Sequence, residues 1–501
     1  MSAWHQVRAL VALRWRLVRS RAIRLGLLLL LALVPLLGWL MVVARTGVDP
    51  AALVAALHTT PAAFLGFGAL AVIAPLTAGG GNELVPSDQL VAYPIRPATL
   101  FLSSLVLAPV NLVWVIQLLV LTAETGFLTL GTPSLARGAV TTVLYVVACT
   151  GLGQAVAWTT VGLRRTQRGR HLLRAALAVL AVTVLTVVRT GHGNDVVRSS
   201  FAPAVVHAVT AGGDGDLAGW LPVTITLALV ALGSLVAGGR ACRWSLRRPG
   251  DRGSQPSSRP VRRRQTPRTP LAALVAVDRA SVWRAPALRR GALVLAVLPG
   301  LAAAGIGLPW KSLVFLPGLV AAGAGLLFGF NAFCLDASGA VWVASLPHPP
   351  GLVIRAKARV TAEVVLVGVL LVAGMGSVRA LGTPTPTELV ALVASAITCC
   401  ALVVALCLSA AVRRPYRADL NGPRDSVAPP GALVLASTRL AMPAAVVGLL
   451  LEGTSEGPHW WLPLAVAAPI AGLSAAWIAA SMRKYDDPLR RSRIVQVVSA
   501  G

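Results

Sequence analysis

Only three of the 45 basic residues in this 501-residue chain are lysines: Lys311, Lys357 and Lys484. A nucleotide-cradling loop needs Gly-x-x-x-x-Gly-Lys followed by Ser or Thr, so that backbone amides and the lysine reach phosphate. None of the three fits; Lys311 is followed by Ser312 but preceded by Trp310. Charge is scarce altogether, at 13% of residues, with only 18 acids. The six cysteines (Cys149, Cys242, Cys334, Cys399, Cys400 and Cys407) show no Cys-x-x-Cys spacing, which implies neither a disulfide framework nor a metal site. A chain that is 56% apolar, with a mean hydropathy of +0.75, is not a soluble enzyme.

The apolar residues fall in blocks of the length a helix needs to cross a bilayer, about 20 residues. Twelve such stretches are bounded by charge, Gly or Pro. They are 25–44, 61–79, 100–123, 139–162, 172–189 and 217–239 in the first half, then 291–310, 312–334, 360–378, 388–412, 432–451 and 459–482. Arg174, Glu363 and Arg439 lie inside their windows, near one end, where long side chains snorkel to the interface. Lys311 alone separates spans 7 and 8, which predicts a tight hairpin. The first stretch is too long for a signal peptide, and no small-x-small site closes it, so it reads as a retained span.

Orientation follows from the charges. With the N-terminus in the cytosol, 39 of the 45 basic residues fall on the cytosolic side. Only Arg45, Arg137, Arg189, Arg198, Lys311 and Arg379 fall on the other. That asymmetry is the positive-inside signal, and it predicts that both termini are cytosolic. The pI near 11.7 is therefore a topology signature and not a nucleic-acid footprint. The near-absence of lysine among the cations, with abundant Ala, Val, Leu, Gly and Pro, reflects the coding bias of a GC-rich bacterial genome, so the expected location is a bacterial plasma membrane.

An internal repeat organises the chain. Ala9-Leu10-Val11-Ala12 recurs as Ala273-Leu274-Val275-Ala276, each followed by Trp and Arg residues and then by Gly26 or Gly291 opening an apolar run. Pro94-x-x-Pro97 between spans 2 and 3 recurs as Pro347-x-x-Pro350 between spans 8 and 9, and Arg174 has a counterpart in Arg439. The expected architecture is all-α: two tandem six-span halves of like orientation, residues 1–242 and 271–501. Residues 243–270, rich in Arg, Pro and Ser, read as a basic disordered cytosolic linker beside anionic lipid.

Four groups of residues stand out. Trp4, Arg8, Arg14, Trp15, Arg16 and Arg19 lie on a stretch with Val7, Leu10, Val11 and Val18 at helical spacing, as in an amphipathic helix lying in the interface. Residues 271–290, with Trp283 and Arg284, look like its copy; a plain interfacial anchor is the alternative reading of both. The loop between spans 2 and 3 carries Glu83, Asp88, Gln89, Tyr93, Pro94, Arg96 and Pro97, and its acids suit a protein surface better than anionic lipid. Its second-half partner, 331–357, contains Asp336, Pro347, Pro350 and Lys357, and both segments also read as polar hairpin loops. Inside the apolar stretches or at their edge, Asn111, Gln117, Glu124 and Gln154 either line a translocation path or hydrogen-bond between helices. Gly325-x-x-x-Gly329 reads as a close-packing surface.

The Arg/Trp interfacial helix, six spans, and an acidic loop ending in Tyr93-Pro94-Ile95-Arg96-Pro97 before a long third span resemble the permease subunits of bacterial ABC-2-type exporters. The resemblance covers nearly the whole chain as a fused pair of six-span permeases, although the second loop keeps only the acid and the Pro-x-x-Pro. It implies a membrane channel without enzymatic activity or a cofactor of its own, moved by two ATPase subunits that bind ATP and Mg²⁺. In that reading the interfacial helices and the loops at 81–97 and 336–357 are docking elements, and the transported substrate is unspecified. The rivals are an ion-coupled carrier of the major-facilitator type and a non-transporting scaffold. A carrier needs an ionisable relay near the midplane, whereas Asp195, Asp214, Asp216, Glu452 and Glu456 all fall in outer loops.

Overall fold

The computed structural model describes residues 36, 38–39, 41–43, 50–78, 96–106, 112–129, 132–248, 267–349, 351–417 and 430–499. Among the described residues every regular element is helical, and the one β-type pairing is an isolated bridge between Pro309 and Leu381. Seven helices there are long and apolar enough to cross a membrane, which makes this a multi-pass membrane protein. The chain divides into two compact units, residues 1–183 with 192–256, and 184–191 with 257–501. The break at 256/257 falls within the stretch read as a linker.

The first unit contains α1 (Pro50–Ala78), α2 (Pro97–Val106), α3 (Leu112–Leu128), α4 (Thr132–Arg164), most of α5 (Gln167–Thr190), α6 (Gly193–Ser199), α7 (Ala202–Asp214) and α8 (Leu217–Arg247). α8 packs along α4, and both enclose a core of Phe64, Tyr145, Val205 and Val209, each at most 1% exposed. Two features depart from the sequence reading. The region between spans 5 and 6, read as an outer loop, forms α6 and α7, and Ala202, Val205 and Val209 are buried against α4 and α1. At 13 residues α7 is too short to span, so a search for 20-residue blocks passes over its apolar stripe. In addition, α8 continues to Arg247, into the predicted linker. Arg165 Nη1 donates to the Ser245 carbonyl at 2.7 Å, and the Arg248 guanidinium lies 4.0 Å from the Trp244 ring, which together hold this last turn in place.

The second unit contains α9 (Pro270–Arg284), α10 (Pro286–Ile306), α11 (Trp310–Leu313), α12 (Leu316–Ala324), a π turn (Gly325–Gly329), a 3₁₀ turn (Cys334–Asp336) and α13 (Gly339–Ser345). It continues with α14 (Gly351–Ser377), α15 (Pro386–Arg413), α16 (Pro430–Ser455), α17 (Leu462–Tyr485) and α18 (Pro488–Ser499). The expected hairpin at Lys311 is present: Gly307 ends α10 at φ +64°, a left-handed turn that suits glycine. α15 is the most buried of the long helices and starts with a capping box. Thr385 Oγ1 accepts from the Glu388 amide at 3.2 Å, while Glu388 Oε2 accepts from the Thr385 amide at 2.8 Å. The Gly325/Gly329 pair packs as read from the sequence. A Cβ at Gly325 would meet Val403 Cγ1 at 2.6 Å, and one at Gly329 would meet Cys407 Sγ and Thr361 Cγ2, both at 2.7 Å.

One end of this unit gathers α9, the segment 331–357, the C-termini of α15 and α17, and α18; it is called the basic end below. The opposite end carries Lys311 and Glu456, paired at 2.7 Å.

Candidate functional site

At the basic end, α9 is fastened to α14 by two groups of charges. The inner group is buried. Lys357, 4% exposed, donates through Nζ to Asp278 Oδ1 on α9 and, at 2.7 Å, to Asp336 Oδ1 at the end of the 3₁₀ turn. Two carboxylates on one ammonium satisfy a charge that would otherwise be very costly to bury. Burial pushes the Asp278 carboxyl above its ordinary value, against the opposing pull of the Lys357 ammonium. The outer group is open to solvent: Arg279 donates two hydrogen bonds to Glu363, at 2.7 and 2.6 Å, and Arg359 adds one at 3.1 Å from the preceding turn of α14.

The sequence explains how these groups meet. α9 starts at Thr269, whose side chain accepts from the Ala272 amide, with Pro270 in the first turn. It buries Val275, Asp278 and Val282, which recur every three to four residues and share one face. α14 runs through its own charges, so Lys357 lies on its second turn. A third attachment comes from Asn331, which is fully buried; its Nδ2 donates to the Tyr416 carbonyl at 2.7 Å. Phe333 stacks on Tyr485 with ring centres 5.4 Å apart.

Of the expected docking residues, Asp336 and Lys357 are brought together; Lys357 is buried against Asp336 and Asp278, while Asp336 is 18% exposed. What the segment exposes is Pro347 with Trp342 and Leu346, Trp342 being 71% exposed. On α9, Trp283 and Arg284 are exposed, along with Val277. Arg96 is exposed, and Pro97 opens α2, its carbonyl accepting from Cys242 Sγ at 3.5 Å. Glu83, Asp88, Gln89, Tyr93, Pro94 and Pro350 lie outside the described residues, as do Trp4, Arg8, Arg14, Trp15, Arg16, Arg19 and Asn111.

The intramembrane polar residues are not brought together as one set. Glu124 Oε2 accepts from Thr60 Oγ1 at 2.8 Å, a bond between α3 and α1. Gln154 on α4 is buried, and its Oε1 has no hydrogen-bond partner among the described residues. Gln117 lies on α3. Among the described residues no His, Cys, Asp and Glu group has the geometry to hold a metal.

Sequence reasoning missed Asp278, Arg279, Glu363 and Asn331 as members of the site. One signal was available: Asp278 is the only acid between residues 270 and 290, on a helix otherwise apolar and basic. Compared with protein-family models, curated proteins and solved structures, the chain matches none.

Proposed function

We propose that this chain is the permease of an ABC-2-type exporter: twelve spans in two like-facing halves, with both termini in the cytosol of a bacterial cell. Separate ATPase subunits, carrying ATP and Mg²⁺, drive it to pass a substrate outward by alternating access. The observation that carries this reading is the double fastening of α9 to α14 through Lys357, Asp278 and Asp336, and through Arg279 and Glu363. Only Ala285 separates α9 from α10, and α10 packs along α14. A push received at α9 or at the 331–357 segment is thereby delivered to two apolar helices at once, as a motor-driven permease requires. The exposed Trp283, Arg284, Trp342 and Pro347 are the contact points this reading assigns to the motor.

The test is co-purification with an ATPase from the same cells. The chain alone is expected to show no ATP hydrolysis and to stimulate hydrolysis by its partner. Replacing Glu83 and Asp88 by Arg is expected to weaken that association while membrane insertion stays intact. Proton-coupled uptake by the purified chain alone in liposomes would decide instead for an ion-coupled carrier.

A further inference from the structure

A cavity of about 400 Å³ at the basic end is lined by Arg413, Lys484, Arg490 and Arg493 over an apolar floor of Val412 and Ile494. It lies where two membrane-crossing helices stop: Arg413 is the last residue of α15, and Lys484 is next to last in α17. That places the cavity at headgroup depth, level with the end of the hydrocarbon. Ile494, 3% exposed, anchors α18 to the floor, so the wall carrying Arg490 and Arg493 is fixed by packing.

The charges are not accounted for among the described residues. A cation at the C-terminus of a helix complements the helix dipole, which explains Arg413 and Lys484 individually. It does not explain Arg490 and Arg493, which lie in the first two turns of α18, where the dipole favours anions. Asp487 caps that helix, accepting from the Leu489 amide at 3.0 Å, and approaches Arg490 at 3.4 Å. The other three cations have no carboxylate partner among the described residues. Across residues 413–417 and 483–493 eight basic residues face two acids, Asp486 and Asp487, an excess of positive charge that favours an anion.

We propose that this cavity binds the phosphate of an anionic phospholipid headgroup, with Arg413, Lys484 and Arg493 contacting the phosphate oxygens and Val412 and Ile494 meeting the glycerol. A membrane-depth pocket of cations over an apolar floor fits a lipid better than free phosphate, which has no apolar part. Bound there, the lipid would bridge α15, α17 and α18 and hold the C-terminal helix to the bundle.

The experiment is native mass spectrometry of the full chain in neutral detergent, titrated with phosphatidylglycerol, phosphatidylcholine or inorganic phosphate. Phosphatidylglycerol is expected to be retained at least about tenfold more tightly than phosphatidylcholine. The triple variant R413Q/K484Q/R493Q is expected to lose that lipid's affinity by on the order of a hundredfold, each surface cation contributing roughly fivefold. The control variant R247Q/R355Q/R483Q removes the same charge from exposed positions outside the cavity and is expected to retain binding. Melting without lipid verifies that both variants are folded. Equal losses in the two variants, equal retention of the two lipids, or inorganic phosphate binding as tightly as phosphatidylglycerol would each overturn the proposal.

Discussion

Arg279 and Glu363 stand 84 positions apart in the chain and meet through two hydrogen bonds of 2.7 and 2.6 Å. Asp278, directly before Arg279, meets Lys357, six positions before Glu363, in the interior. The same two helices are therefore joined twice, once in solvent and once out of it, and the two joints differ in what they contribute. Side-chain exposure decides this: 51% and 32% for the outer pair, against 4% for Lys357 and 8% for Asp278.

Removing the inner cation leaves the Asp278 carboxylate buried without its partner, beside that of Asp336, which is 18% exposed. Lys357→Met is expected to cost about 3–5 kcal/mol, read as a lowered thermal midpoint in detergent. The triple change Lys357→Met, Asp278→Asn, Asp336→Asn is expected to recover most of the loss, since no charge is then stranded. Arg279→Ala is expected to cost no more than about 1 kcal/mol, because solvent screens the outer pair. If the lysine and arginine variants melt alike, the buried group does not hold the helices together.

Solvent exclusion also sets the chemistry of the cysteines. All six are buried, and burial pushes the Cys334 thiol from its ordinary 9.0 up to about 12. Because the folded state favours the neutral thiol, this contribution to stability is complete below about pH 8 and is lost as pH climbs from about 9 toward 12. At pH 7.5 maleimide is expected to leave the native chain unmodified and to label all six positions after denaturation, counted by mass. Rapid labelling of Cys334 in the native protein would contradict its placement beneath α9.

The Gly325/Gly329 face brings α15 close to the π turn. Gly329→Ala forces a methyl group against Cys407 Sγ and Thr361 Cγ2 and is expected to cost about 1–3 kcal/mol. Cys407→Ala in the same chain vacates the sulfur position and is expected to return part of that loss in a double-mutant cycle. Additive effects of the two changes would show that the faces are not in contact.

How much of this was legible beforehand depends on the length scale of the signal. The long apolar helices were visible because bilayer thickness imposes a block length, and the Gly325/Gly329 packing because small residues four apart share a face. Asp336 and Lys357 stand out in the sequence as candidate docking residues, yet their partner Asp278 lies 79 positions from Lys357, and nothing local to either encodes that pairing. The span read as 360–378 is in fact the later part of a helix starting at Gly351, because helical backbone geometry continues through the charges that end an apolar count. α7 was passed over for the converse reason: its core-facing stripe of Val205, Val206 and Val209 is shorter than a span.

Two polar residues inside the first unit are expected to respond to mutation in opposite directions. Thr60 is fully buried and donates to Glu124 at 2.8 Å, so Thr60→Val deletes a bond between α1 and α3. Measured interhelical bonds in membranes are modest, and a loss of roughly 0.6–1.7 kcal/mol is expected. Gln154 is 6% exposed, and its Oε1 has no partner among the described residues, so Gln154→Met removes an orphaned acceptor while keeping side-chain volume. An unsatisfied buried acceptor costs about 1–3 kcal/mol, and a rise in thermal midpoint is therefore expected. Both changes are read by thermal unfolding in one detergent. If Gln154→Met lowers the midpoint as Thr60→Val does, the glutamine has a structural partner.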